Sequence, residues 1–139
     1  MTTRRFAAGF WAAGAFNVLG VLVFSRAGTN TYLSELYPDV FGPFGLLCVV
    51  LWGLTYVAAG GSRLPPAALS MVFALEKAVY VGTWAVWLSR HGKALSDVWD
   101  RDPLTATFYA VYGAGDLAFG LFFAWAALRA RAAHAGARP

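Results

Sequence analysis

Four apolar runs, at residues 6–24, 40–59, 66–88 and 104–128, set what this chain can fold into. Each is close to the roughly 20 apolar residues that a helix needs to cross the hydrocarbon core of a bilayer. Backbone N–H and C=O groups find no water there, so a segment that crosses must satisfy them internally, as a helix does. Charged residues make up 13% of the chain, about half of what a soluble domain carries. They cluster between the runs rather than spreading along them. This pattern predicts an all-α protein, a four-span transmembrane helix bundle forming a single domain over residues 1–139.

Several functions are excluded at this stage. The single cysteine, Cys48, lies in the second run, so neither an internal disulfide nor a cysteine-paired metal site can form. The two histidines, His91 and His134, lie outside the runs, which rules out a haem held by a pair of intramembrane histidines. No phosphate-binding loop, catalytic triad or metal cluster is present, and Ser70 and Ser89 have no histidine in reach. No cofactor and no metal is implied, and whether the chain is an enzyme stays open. The net charge of +4 flanks the runs. Membrane topology accounts for it better than nucleic acid does.

The first run follows Arg4-Arg5 but is too long for a signal-peptide core and has no clear cleavage site after it, so it reads as a retained helix. Gly9, Gly14 and Gly20, with Ala8, Ala12 and Ala13, give it a surface suited to close helix packing. Asn17, near its middle, is expected to hydrogen-bond across to another helix. In the connection after this run, Tyr32, Leu33, Leu36 and Tyr37 predict a short interfacial helix, and Asp39 the N-cap of the second span. Pro43 fits that span's first turn. The short link Gly60–Pro65 predicts that the second and third spans are antiparallel neighbours. Leu95, Val98 and Trp99 predict another interfacial turn, Asp102-Pro103 a capped helix start, and residues 129–139 a frayed basic tail.

With both termini on one side, that side holds six arginines (Arg4, Arg5, Arg63, Arg129, Arg131 and Arg138) and no acidic residue. The other side holds Arg26, Arg90, Lys93 and Arg101 against Glu35, Asp39, Asp97, Asp100 and Asp102. The positive-inside rule then places both ends in the cytoplasm.

Only three charged residues fall inside the runs: Glu76 and Lys77 near the middle of the third, and Asp116 at the midpoint of the fourth. Each costs about 2.5–3.5 kcal/mol at the bilayer centre, so all three should face inward and meet partners. Neighbouring residues diverge by about 100° around a helix, so Glu76 and Lys77 are poorly placed to pair with each other. Lys77 is better placed to pair with Asp116. Glu76 is then left with a neutral partner or in its protonated form. Tyr80 and Trp84 continue the Lys77 face, with Phe73 a turn before. Tyr109, Tyr112, Gly113, Asp116, Gly120 and Phe123 share a face of the fourth span. Gly113 and Gly120 allow close backbone approach or leave room for something else. With Tyr56 and Asn17, these residues would line an aromatic-walled cavity with a few convergent polar groups. The bland alternative is an ion-pair cluster that only fixes helix register. Trp11, Trp52, Trp87, Trp99 and Trp125 read as packing residues or interface anchors.

Phe16-Asn17-Val18-Leu19-Gly20, Gly53-Leu54-Thr55-Tyr56-Val57-Ala58-Ala59, Glu76-Lys77 and Gly115-Asp116-Leu117 succeed one another through the four spans. This order resembles a group of small bacterial four-helix membrane proteins, loosely DoxX-like, with Asn-x-x-Gly, Gly-x-x-Tyr, a lysine and an aspartate at these relative places. Many of those relatives have Gly where this chain has Glu76. A more distant likeness is to the four-helix sterol-isomerase and sigma-2-receptor group, which holds acidic residues inside the bundle; that likeness is one of fold.

The leading expectation is binding of an apolar or amphipathic small molecule, a lipid, quinone or isoprenoid. Its site residues would be Asn17, Tyr56, Glu76, Lys77, Tyr80, Trp84, Tyr112 and Asp116. One alternative is an accessory subunit or self-assembling scaffold of a larger membrane complex. Another is proton-linked transport by a homodimer, with Asp116 or Glu76 as relay. An isomerase also stays open, since a midplane acid can protonate a buried alkene.

Overall fold

The computed structural model describes the backbone of residues 3–62 and 65–136, with side chains except at residues 3–5 and 134. Among the described residues every regular element is helical. The elements are α1 (Thr3–Phe24), α2 (Thr31–Leu36), α3 (Pro38–Phe41), α4 (Pro43–Gly60), α5 (Ala67–His91), a 3-10 turn (Gly92–Ala94), α6 (Leu95–Arg101) and α7 (Pro103–Ala135). Four segments are helical, long and apolar enough to cross a membrane: Phe6–Phe24, Pro43–Gly60, Ala67–Arg101 and Pro103–Ala133. The chain divides into two compact units, Met1–Arg63 and Leu64–Pro139. In the link Gly60–Pro65, Arg63 and Leu64 lie outside the described residues. So do the side chains of Arg4, Arg5 and His134, and the tail from residue 137, Arg138 included.

In the first unit, α1 ends in a left-handed stretch, with φ of 51° at Arg26, 55° at Ala27 and 89° at Gly28. Asn30 fastens this turn to α2. Its amide donates to the Phe24 carbonyl at 3.0 Å, and its carbonyl oxygen accepts from Leu33 N at 3.3 Å, capping α2. The expected short helix is therefore present, but Tyr37 is not part of it. Tyr37 precedes Pro38, which disfavours helical backbone, and its φ is −152°. The same steric rule corrects the second span. It begins at Pro43 rather than Val40, because Gly42, just before a proline, is extended with ψ 171°. Gly42 is thus the N-cap position of α4, and Asp39 sits in the first turn of the separate helix α3.

Helices α1 and α4 run antiparallel and approach closely. A Cβ placed on Gly14 would lie 2.6 Å from the Gly53 carbonyl oxygen, and one on Gly53 3.0 Å from the Gly14 carbonyl oxygen. A Cβ on Gly60 would meet the Trp11 indole at 2.8 Å. The small-residue surface of α1 is narrower than its sequence implies. Ala13 is buried, Ala8 and Ala12 are exposed, and nothing lies within 4 Å of a Cβ on Gly20.

The second unit repeats the plan of long helix, short helical connection and proline-started long helix. Helix α6 buries Val98 and leaves Trp99 half exposed. Asp102 caps α7 as expected, accepting from Leu104 N at 3.1 Å and from the Thr105 hydroxyl at 2.9 Å, with Pro103 at the first helical position. The tail does not fray at Arg129. Helix α7 continues to Ala135, through alanines with high helix propensity, and stops at Gly136. Ala126 and Ala127 are buried just before this extension, and Ala130 within it.

Candidate functional site

Helices α5 and α7 form the second antiparallel pair, and their facing residues can be traced from end to end. Phe73 meets Phe123 with ring centroids 5.3 Å apart. A turn further along α5, Lys77 meets Asp116. Beyond that, Trp84 meets Tyr112 edge-on, and Trp87 stacks on Tyr109 at 4.3 Å. With Tyr80 between Lys77 and Trp84, each of these α5 residues lies three or four positions from the next, so one face of a regular helix carries them all. The α7 face predicted from sequence is the one buried: Tyr109, Tyr112, Gly113, Asp116 and Phe123, with Gly120 half-buried.

Lys77 is 1% exposed and Asp116 5%. The Lys77 ammonium donates to Asp116 Oδ1 at 2.6 Å, a short charge-assisted hydrogen bond. Glu76 is also buried, with its Oε2 3.9 Å from the same ammonium. The angular divergence of Glu76 and Lys77, which sets them apart in sequence, does not keep them apart in space. The flexible lysine stem brings Nζ within ion-pair distance of both carboxylates, although only Asp116 is close enough to accept a hydrogen bond. The Tyr80 ring adds an aromatic face, its centroid 5.9 Å from Nζ.

Gly120 admits the lysine stem: a Cβ there would lie 3.2 Å from Lys77 Cβ. Gly113 does the same for a larger group. A Cβ at Gly113 would fall inside the Trp84 indole, so the notch in α7 is filled by that ring. The indole N–H then donates to the Tyr109 carbonyl oxygen at 2.9 Å, which fixes the ring across the helix pair. The room that Gly113 offers is therefore taken up by the protein's own tryptophan. Phe108 stacks on Tyr112 with centroids 4.9 Å apart, which extends the ring cluster.

Of the eight predicted site residues, Glu76, Lys77, Tyr80 and Asp116 form one centre, and Trp84 and Tyr112 form the adjoining aromatic contact. Asn17 and Tyr56 belong to the first unit. Asn17 does what a buried asparagine is expected to do, donating across to the Val49 carbonyl oxygen of α4 at 3.1 Å. Tyr56 is fully buried and stacks on Trp52. Sequence reasoning passes over Ser70, which lies seven residues before Lys77 on the same face of α5. Its hydroxyl is buried and has no hydrogen-bond partner among the described residues. The seven-residue spacing is the available signal. Asn30 is also missed as a cap, although an asparagine just before a short amphipathic segment is a recognised helix start.

Among the described residues no group of three or more His, Cys, Asp or Glu is placed to hold a metal ion. Comparison with family models, curated proteins and solved structures finds no match to this chain.

Proposed function

We propose that this chain is an integral membrane protein that holds the polar group of an apolar or amphipathic small molecule, of the lipid, quinone or isoprenoid kind, at the Lys77–Asp116–Glu76 centre. The observation that carries this reading is the burial of three ionisable groups in a helix pair that packing alone does not require to hold them. Buried ion pairs seldom add net stability over well-packed apolar residues. Ionisable groups inside spans are costly and mark function by default. The α1–α4 pair is joined by glycine contacts and one asparagine, so the chain has a less costly way to associate two spans. The Ser70 hydroxyl, two turns along the same face and without a hydrogen-bond partner among the described residues, is a second polar group suited to a ligand.

Native mass spectrometry of the protein released from mild detergent tests this reading. The wild type should carry a reproducible excess mass, and Asp116→Asn and Lys77→Met should lose it while keeping their helical circular dichroism. A bare wild type, or full occupancy in both folded variants, would rule the placement out.

A second reading, an accessory subunit or scaffold, is favoured by Gly20 and Gly82, where a Cβ would meet nothing within 4 Å. These helical glycines leave backbone open to a partner helix. Co-purification with a larger complex, disrupted by Gly20→Leu or Gly82→Leu and not by Asp116→Asn, would favour this reading over binding. The motif order supports a DoxX-like assignment. The resemblance in motif order supports a bacterial inner membrane, and the arginine distribution supports both termini in the cytoplasm. A fluorescent C-terminal green fluorescent protein fusion, with an inactive alkaline phosphatase fusion at the same end, is the expected result.

A further inference from the structure

Away from the Lys77 centre, the last turns of α7 carry a second feature. We infer that they hold the headgroup of an anionic phospholipid, with Arg129 and Arg131 as the cations and Trp125 as the platform that sets Arg129. This rests on the membrane-spanning part of the reading above and does not depend on what the Lys77 centre binds.

The first observation is depth. Asp116 is the midpoint of the apolar run 104–128, and α7 continues past that run to Ala135. With a rise of about 1.5 Å per residue, Trp125 lies about 14 Å along the axis from Asp116, Arg129 about 20 Å and Arg131 about 22 Å. A hydrocarbon core about 30 Å thick ends about 15 Å from its midplane, and the headgroups reach to about 20–22 Å. Trp125 therefore falls at the edge of the hydrocarbon, and both arginines fall among the headgroups. The helix does not end at the boundary, so it presents the arginines on a regular frame.

The second observation is the geometry at that depth. Trp125 and Arg129 are four residues apart and share a face of α7. The Arg129 guanidinium carbon lies 5.6 Å from the Trp125 ring centroid, a cation–π contact. Stacking uses the flat face of a guanidinium. Its N–H donors lie in its plane, in a fork that matches two oxygens of a phosphate. Arg131 is exposed beside it. Nearer the midplane, Leu121 is 64% exposed, and the half-buried Phe122 ring has its centroid 6.0 Å from that of Trp125. Apolar surface at the depth of acyl chains, with guanidinium groups at the depth of phosphate, matches the profile of a phospholipid. A soluble polyanion would use only the arginines.

The third observation selects an anionic headgroup. No acidic residue follows Asp116 in the chain, so nothing on this segment neutralises Arg129 or Arg131. The connection that precedes α7 is different: Arg90, Lys93 and Arg101 stand there with Asp97, Asp100 and Asp102. Only the far end of α7 is uniformly basic. A zwitterionic lipid brings its own ammonium, which two arginines repel, whereas an anionic one brings none. Basic side chains next to a span are drawn to anionic lipid for this reason.

The test uses the full-length protein in vesicles of equimolar phosphatidylglycerol and phosphatidylcholine with identical acyl chains. The protein is then released in mild detergent, and retained lipid is identified by native mass spectrometry. The wild type should retain phosphatidylglycerol about tenfold over phosphatidylcholine. Arg129→Gln combined with Arg131→Gln should bring the ratio close to one. Arg90→Gln combined with Lys93→Gln removes the same charge at the opposite end and should leave the ratio unchanged. Trp125→Leu should lower the preference by a smaller factor, about threefold. The wild-type ratio and the opposite-end control stand even if a variant misfolds. Equal retention of both lipids by the wild type, or of neither, would overturn the site and leave the membrane-spanning reading standing. So would a preference that survives loss of Arg129 and Arg131, or one that falls equally in both double variants. Displacement of the lipid by a short oligonucleotide or by inorganic phosphate would show a general anion surface and overturn the lipid assignment. Protein that fails to float with the vesicles would overturn both the site and the membrane-spanning reading beneath it.

Discussion

The two helix pairs of this protein share one plan and hold together by different chemistry. In each, a long helix leads through a short helical connection to a second long helix that begins at a proline, Pro43 in one and Pro103 in the other. The α1–α4 pair brings backbone against backbone at Gly14 and Gly53 and adds a hydrogen bond from Asn17 to the Val49 carbonyl oxygen. The α5–α7 pair places side chains between its helices: the Lys77–Asp116 bond, the Phe73–Phe123 contact, and the Trp84 and Trp87 rings against α7. Lipid is as apolar as leucine, so the hydrophobic effect does not draw spans together, and close packing and polar contacts must do it. Both pairs obey that constraint. The α1–α4 glycine contacts bring two helices together without an ion pair at the contact, and the proposal of a binding role for the charged pair starts from that contrast.

The sharpest way to break this contrast is to remove the lysine. Lys77→Met leaves two carboxylates buried without their cation and should cost about 3–5 kcal/mol in a reversible unfolding measurement in bicelles. Adding Asp116→Leu to it should recover most of the loss. A double variant no better than the single would mean that the pair is itself the main support of α5 against α7.

Next in size are the glycines. Gly113→Leu drives a side chain into the space of Trp84, and Gly14→Leu drives one into the α4 backbone. Each should cost about 1–3 kcal/mol, while Gly82→Leu, at an open position, should be near neutral. Equal losses at all three would show that the close approaches at Gly113 and Gly14 do not set the cost, since helix propensity by itself favours leucine over glycine.

Asp102→Ala removes a cap that serves both Leu104 N and the Thr105 hydroxyl, and should destabilise the start of α7 by about 1 kcal/mol, visible as faster amide exchange near Leu104. Asn17→Leu should cost about 0.6 kcal/mol, the average for a hydrogen bond between spans. A loss several times larger would make Asn17 the polar counterpart of Lys77 in the first pair. Ser70→Ala has the smallest expected effect and the opposite sign. It removes a buried hydroxyl without a partner and should leave the ligand-free protein unchanged or slightly more stable, by melting temperature. A clear loss of stability would show that the hydroxyl has a structural role.

Several features can be read from the residues because local rules govern them. The runs are long and apolar, so four spanning helices result from the amount of polar backbone that lipid cannot satisfy. Asp102-Pro103 marks a helix start by its own chemistry, and Lys77 and Asp116 face each other because lone charges within spans have to find partners. Elsewhere a second local rule, or a neighbour, decides the outcome. Pro38 and Pro43 break the connection after α1 into two short helices before the second span, a consequence of backbone sterics that the sequence does contain. The tail continues as helix because its alanines favour it, and Ala130 among them is buried.

By itself, then, the sequence determined the helical class, the number of spans, the helix starts at proline, and the presence of one cation and two acids among apolar residues. All of these depend on composition and spacing along one segment. Only the tertiary structure decided that Glu76 stands 3.9 Å from the lysine, that the Gly113 notch is filled by Trp84, and that, among the described residues, Gly20 packs against nothing within 4 Å and Ser70 is buried without a hydrogen-bond partner. These outcomes depend on the rotamer of a long side chain or the rotation of one helix against its neighbour. Small shifts or rotations change them, and no pattern within a single segment encodes displacements that small.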